Sequence, residues 1–93
     1  MSDYINEINK EIDQIDEQII AIASTLSNYT SKFYDRYHHL FDRYDLGLLI
    51  YEWMSNVKDD INEKMLEEIS TDYSKLKEIK KLLIELYELE REL

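Results

Sequence analysis

Ile5, Ile8, Ile12, Ile15, Ile19, Ile22, Leu26 and Tyr29 follow one another at alternating steps of three and four residues, and Glu7, Glu11, Asp13, Asp16 and Glu17 fall off that stripe. Apolar positions spaced in this way form the a/d seam of a heptad repeat, so the pattern predicts an amphipathic helix that packs coiled-coil fashion. No proline or glycine interrupts the chain before Asp45, Leu46 and Gly47. The first helix is therefore predicted over about 3–44, roughly 60 Å of rod, with a turn at 45–47.

A second apolar series runs through Leu49, Ile50, Trp53, Val57, Ile61, Met65, Ile69, Tyr73, Leu76, Ile79, Leu83 and Leu86, which predicts helix from about 48 to 93. Between Val57 and Tyr73 every step is four residues, and on a straight helix that rotates the stripe by about 40° per step. Either a superhelical wrap or a break has to absorb the drift. Ser70, Thr71 and Asp72 favour helix starts over helix interiors and stand directly before Tyr73, so 70–72 is the candidate break.

The expected fold class is all-α, in one of two forms: a long antiparallel helical hairpin, or a three-helix bundle. Both fit a single domain over 1–93. A chain of 93 residues buries a modest core, so packing as a dimeric bundle is expected, with Ile5, Ile8, Ile12, Ile15, Ile19, Ile22 and Leu26 as the oligomer seam.

Composition narrows the function classes. The absence of proline and the single glycine agree with few turns, and 21 acidic against 11 basic residues leave a net charge of −10. Such a chain repels nucleic acid and anionic membrane and attracts basic proteins, including those that hold nucleic acid themselves. Without cysteine there is no disulfide framework or thiolate metal site, in keeping with a reducing cytoplasm. The N-terminal stretch lacks the basic and apolar regions of a signal peptide, and no run reaches the ~20 apolar residues of a membrane span. A cytoplasmic location is expected, in a host cell if the gene is viral.

The stretch INKEIDQIDEQIIAIAS, ending at Ser24, resembles the first helix of the all-helical chorismate mutases, which carry a similar Ile-Asp-x-Ile-Asp run. The resemblance implies an all-helical fold and a site that grips a dicarboxylate through cationic side chains. Carried over by position, the two arginines fall on Asn9 and Leu26, and the lysine falls on or near Tyr37, beside Arg36. A dianion cannot be held without compensating positive charge, so the resemblance bears on fold and not on activity.

The stretch YDRYHHLFDRY at 34–44 repeats an aromatic-Asp-Arg-Tyr unit after seven residues, with two histidines between the copies. Asp35, His38, His39 and Asp42 have the i, i+3, i+4, i+7 spacing that can gather metal ligands on one helical face. On a helical wheel, however, Phe33, Tyr34, Tyr37, Leu40, Phe41 and Tyr44 fill an arc of roughly 120°, with both aspartates pointing away and the histidines on opposite flanks. The repeat then reads as two turns of one core-facing pattern, with Tyr37 and Tyr44 inward. No cofactor is expected. A catalytic base would need a nucleophile, an orienting group and a dry pocket, and neither the tyrosines nor Ser55 supply these in sequence; Gly47 alone makes no phosphate loop. The protein is not expected to be an enzyme.

Two kinds of surface remain. Tyr34, Tyr37, Phe41, Tyr44, Tyr51 and Trp53 concentrate around the expected turn, either as filling for a wider end of the bundle or as a partner-binding surface. Tyr51 and Trp53 lie about 160° apart on a helix, so at least one should be exposed. Glu7, Glu11, Asp13 and Glu17, with Asp59, Asp60, Glu63, Glu67 and Glu68 on the later helix, form acidic rows expected to face outward. Rows of carboxylates on a rod can occupy a groove that a basic protein reserves for phosphate. The sequence therefore suggests an acidic protein-binding module, an inhibitor or regulator of the phage or mobile-element type, with nucleic-acid mimicry as one way it would work. The competing expectation is a homo-oligomeric coiled-coil scaffold, a homodimer held by the isoleucine seam.

Overall fold

The computed structural model describes residues 2–57 and 62–93, and among them every regular element is helical. Five α-helices follow in order: α1 (Ser2–Ala23), α2 (Asn28–Tyr37), α3 (Leu46–Asn56), α4 (Glu63–Thr71) and α5 (Tyr73–Arg91), with a 3₁₀ turn at His38–Leu40 between α2 and α3.

The helix expected over about 3–44 is in fact interrupted at 24–27, and the cause is hydroxyl chemistry in place of glycine or proline. Ser24 Oγ donates to the Ala21 carbonyl and Thr25 Oγ1 to the Ile22 carbonyl, each at 2.7 Å. These side chains take acceptors that the next helical turn would otherwise use. The backbone tightens at once, with Thr25 N–H on Ile22 O and Leu26 N–H on Ala23 O, an i to i+3 pattern that closes the helix. Ser27 then stands extended, at φ −68° and ψ 167°, as the N-cap of α2.

The turn expected at 45–47 lies earlier. Asp45 caps α3, accepting from Gly47 N–H at 2.8 Å and Leu48 N–H at 3.3 Å, so Gly47 is a helical residue and not a turn glycine. A Cβ on Gly47 would sit 2.9 Å from Asp45 Oδ1, so a side chain there would make the capping carboxylate shift. Between α4 and α5 the chain is interrupted at Asp72, where the four-residue apolar steps give way to the three-four-three spacing of Leu76, Ile79, Leu83 and Leu86.

That second heptad stripe is the surface on which α1 packs. The two helices run antiparallel: the Tyr4 hydroxyl lies 3.4 Å from Glu92 Oε2 at one end, and the Lys75 ammonium donates to the Thr25 carbonyl at 3.1 Å at the other. The isoleucine stripe is thus covered from within the same chain. Ile8 and Ile19 are buried, Ile12, Ile15, Ile22 and Leu26 are half-buried, and Ile5 remains exposed. As an oligomer seam it is already occupied along most of its length.

At the opposite end α2, α3 and α4 gather around the start of α5. Phe33, Phe41, Leu46, Leu49, Trp53, Met65 and Ile69 join Ile19, Leu76 and Ile79 in one core. The shape is elongated, 54 × 23 × 16 Å, and the radius of gyration of 15.3 Å exceeds the about 12 Å of a compact chain of this length. Among the described residues no helix is long and apolar enough to cross a membrane.

Candidate interaction surfaces

The aromatic set divides between interior and surface. Phe41 and Trp53 are core residues, so neither is available to a partner; Tyr34 and Tyr37 are half-buried against that core. The Phe33 ring sits at their centre, 5.2 Å from Tyr37, 6.0 Å from Phe41 and 5.6 Å from Trp53. Tyr44, expected inward, is exposed, because the α-helix ends at Tyr37 and the chain turns before the second Asp-Arg-Tyr copy. Of the pair on α3, Tyr51 is 70% exposed and Trp53 is 5% exposed.

The same helix end dissolves the constellation Asp35, His38, His39 and Asp42. His38 begins the 3₁₀ turn, where the rotation per residue differs from that of an α-helix, so i+4 and i+7 no longer share a face. His38 Nδ1 lies 3.3 Å from the Tyr34 carbonyl, while Asp35 and His39 point to solvent. Asp42, expected outward, is half-buried, and its Oδ1 is a buried acceptor with no hydrogen-bond partner. Among the described residues no group of three or more His, Cys, Asp or Glu side chains is gathered as a metal centre.

Burial first, then nearby carboxylates, push two phenols above their ordinary range: Tyr34 beside Asp35 and Asp16, and Tyr87 beside Asp42 and Glu90, with Arg43 opposing at Tyr87. A phenol whose folded value is raised contributes stability that is present below the ordinary phenol value and lost as pH rises through the folded one. Alkaline ultraviolet titration should therefore show two of the eight tyrosines ionising last, with the thermal midpoint falling above pH ~10. A tyrosine titration that ends together, with no loss of stability, would contradict the placement of these rings.

The carboxylates separate into two regions. Glu7, Glu11, Asp13 and Glu17 on α1 and Glu63 and Glu67 on α4 are exposed, and Asp59 and Asp60 lie outside the described residues. Glu68 departs from the expected outward row: its Oε2 turns in to accept the Tyr29 N–H at 3.1 Å. The α1 and α4 rows are not one face, since α4 adjoins the start of α5 and the beginning of α1 adjoins its end, about 28 Å of helix away. What α1 gains instead is the C-terminal half of α5. Glu11 lines a groove with Glu85, Glu88 and Glu92, floored by Ile15 and Leu89. Glu85 and Glu88 of α5, and Glu92 just beyond it, were not singled out from the sequence, because only the antiparallel packing brings residues 11 and 88 to one groove.

Two further features have no signature in sequence. Tyr73, Lys77, Lys80, Lys81 and Ile84 border a second groove against Leu46, where three lysines face Asp45 and Glu85 and the Lys80 ammonium donates to the Tyr44 carbonyl at 2.8 Å. At the junction of the helices, Asp72 Oδ2 accepts both the backbone N–H and the hydroxyl of Ser27 at 2.7 Å each. With Glu68 on Tyr29 N–H, the start of α2 is capped by carboxylates from α4 and the α4–α5 junction, where the helix dipole favours negative charge.

No known protein family matches the chain, and neither does any curated protein or any solved structure. The three positions at which the chorismate mutases carry cations hold Asn9 at the surface and Leu26 and Tyr37 half-buried against the core.

Proposed function

We propose that the protein is a non-enzymatic binding module whose acidic surface occupies a basic surface of another protein, as an inhibitor or regulator of the phage or mobile-element type acting in a host cytoplasm. The observation that supports this most is the groove in which Glu11, Glu85, Glu88 and Glu92 flank Ile15 and Leu89. The two packed helices bring these carboxylates to one groove, together with Gln14 and Gln18, so a Lys/Arg surface that binds phosphate meets several anions at once. A nucleic-acid-binding protein is the partner class this favours, with the acidic groove standing in for the phosphate backbone.

The test compares wild type with E11K/E88K, two exposed substitutions outside the core. Wild-type protein immobilised in a host lysate is expected to retain basic proteins at low ionic strength, to release them at moderate salt, and to lose them with E11K/E88K. Retention that is indifferent to both salt and the charge reversal would refute an electrostatic partner. The scaffold reading keeps its interest in a changed form: with the isoleucine stripe covered by α5, self-association has to use another face.

A further inference from the structure

α1 and α5 form an antiparallel pair, and such a pair has two sides along which a further helix can pack. At about 100° per residue, Glu11, Ile15 and Gln18 fall to one side of the buried Ile8 and Ile19 on α1, and Asp16 falls to the other. Leu89 and Tyr87 divide in the same way about the buried Leu83 and Leu86 on α5. The Tyr87 side is filled by the chain itself: Tyr34 of α2 stands beside Asp16 and Tyr87, Asp42 stands beside Tyr87, and the Tyr44 carbonyl accepts from Lys80. The Leu89 side is lined from α1 and the end of α5 alone, as the groove that holds Glu11, Ile15, Glu85, Glu88, Leu89 and Glu92.

We propose that this open side of the α1–α5 pair takes a basic amphipathic α-helix of the partner protein, a refinement that rests on the reading of the groove as a site for a basic protein. Charge selects the sign of the occupant, since four carboxylates and no lysine, arginine or histidine line the groove. The period of its walls selects the shape. Glu11, Ile15 and Gln18 on one wall and Glu85, Leu89 and Glu92 on the other each advance by four residues and then three, with the apolar side chain in the middle. Each wall thus repeats over about 10.5 Å of helix, and a docked helix repeats in step with it. Same-face residues of an extended segment recur at about 6.7 Å, so two such steps leave it about 3 Å out of register.

Backbone chemistry points to the same element. The helical walls have their own N–H and C=O groups bonded within themselves, so an extended segment would enter the groove with no backbone partners, whereas a helix arrives with its own already satisfied. A helix laid here sets apolar side chains on Ile15 and Leu89, both half-buried, and directs lysines or arginines to the glutamates around them.

Fluorescence anisotropy of labelled peptides titrated with the full chain, at low and at moderate salt, tests this directly. Two lysine–leucine–glutamine peptides of identical composition and charge serve as probes: in one the leucines advance by alternating steps of three and four, in the other by steps of two. The first is expected to bind roughly tenfold or more tightly than the second, and to lose a similar factor on E11K/E88K. D13K/E17K, an equal change of net charge at exposed positions off the groove, is expected to alter its binding little. Amide NMR of the protein is expected to show shifts at Gln14, Ile15 and Gln18 and none at Tyr34, on the filled side. Circular dichroism checks that each variant stays helical. Equal binding of the two peptides, with equal loss on E11K/E88K, would overturn the helix and leave the groove as a site for a basic protein. Equal sensitivity to the two charge reversals, or shifts centred on Tyr34, would put binding elsewhere and overturn the proposal. If neither peptide binds even at low salt, both readings of the groove fall.

Discussion

Replacing Phe33 with alanine is expected to remove much of the protein's stability. The side chain has no exposed surface and touches the rings of Tyr37, Phe41 and Trp53, which come from α2, the following turn and α3. Deleting a fully buried phenylalanine costs about 3–5 kcal/mol, the lost transfer energy plus the cavity left behind. A chain of this size has roughly 5–14 kcal/mol in total. Urea unfolding of F33A followed by circular dichroism should therefore show a midpoint reduced by about a fifth or more, and Y51A on the exposed face should stay within about 0.5 kcal/mol of wild type. If F33A unfolds at the wild-type midpoint, the aromatic cluster is not the core of this end of the molecule.

The second large effect is expected at Asp72. Its carboxylate is buried and binds Ser27 through two short hydrogen bonds, and Ser27 Oγ in turn lies 3.1 Å from Thr30 Oγ1, a side chain with no exposed surface. Truncation to alanine strands the Ser27 N–H and hydroxyl, a loss of about 3 kcal/mol for charge-assisted bonds of this kind. Lys75, 3.5 Å away and well exposed, adds little to that figure. Burial by itself pushes the Asp72 carboxyl up, but the Ser27 N–H and hydroxyl and then the Lys75 ammonium outweigh it and hold the group below the ordinary carboxylate range. A depressed folded value means stability that is present above the unfolded value and lost as pH falls through the folded one. Wild type should lose this contribution in acid, and D72A should lack that part of the acid transition. Parallel acid titrations of the two proteins would dismiss the idea that Asp72 joins the two helical junctions.

The histidine-containing repeat shows how a heptad return can mislead. Its seven-residue spacing suggested two turns of one helix, yet the first copy ends α2 and the second lies in the turn before α3. The aromatic members still meet, with the Tyr34 and Phe41 rings 6.1 Å apart, so the chemistry of the pattern was core-forming even though the geometry was not helical throughout. The missed interruption at 24–27 has a readable signal after all. Ser24, Thr25, Ser27, Asn28 and Thr30 form a cluster of residues whose side chains compete for backbone partners, and the unbroken heptad count through Leu26 and Tyr29 concealed it.

The sequence by itself determined the all-helical character, the apolar stripe of α1, the outward carboxylates of that helix and the opposed directions of Tyr51 and Trp53. Each follows from the helical period, which depends on neighbours three or four residues away. Only the tertiary structure decided that the α1 stripe closes on α5, that Glu11 shares a groove with Glu85, Glu88 and Glu92, that Glu68 turns inward, and that Asp72 caps a helix beginning 44 residues earlier at Asn28. Those relations join side chains far apart in the chain, and the long-range packing of the helices that brings them together has no period to reveal it.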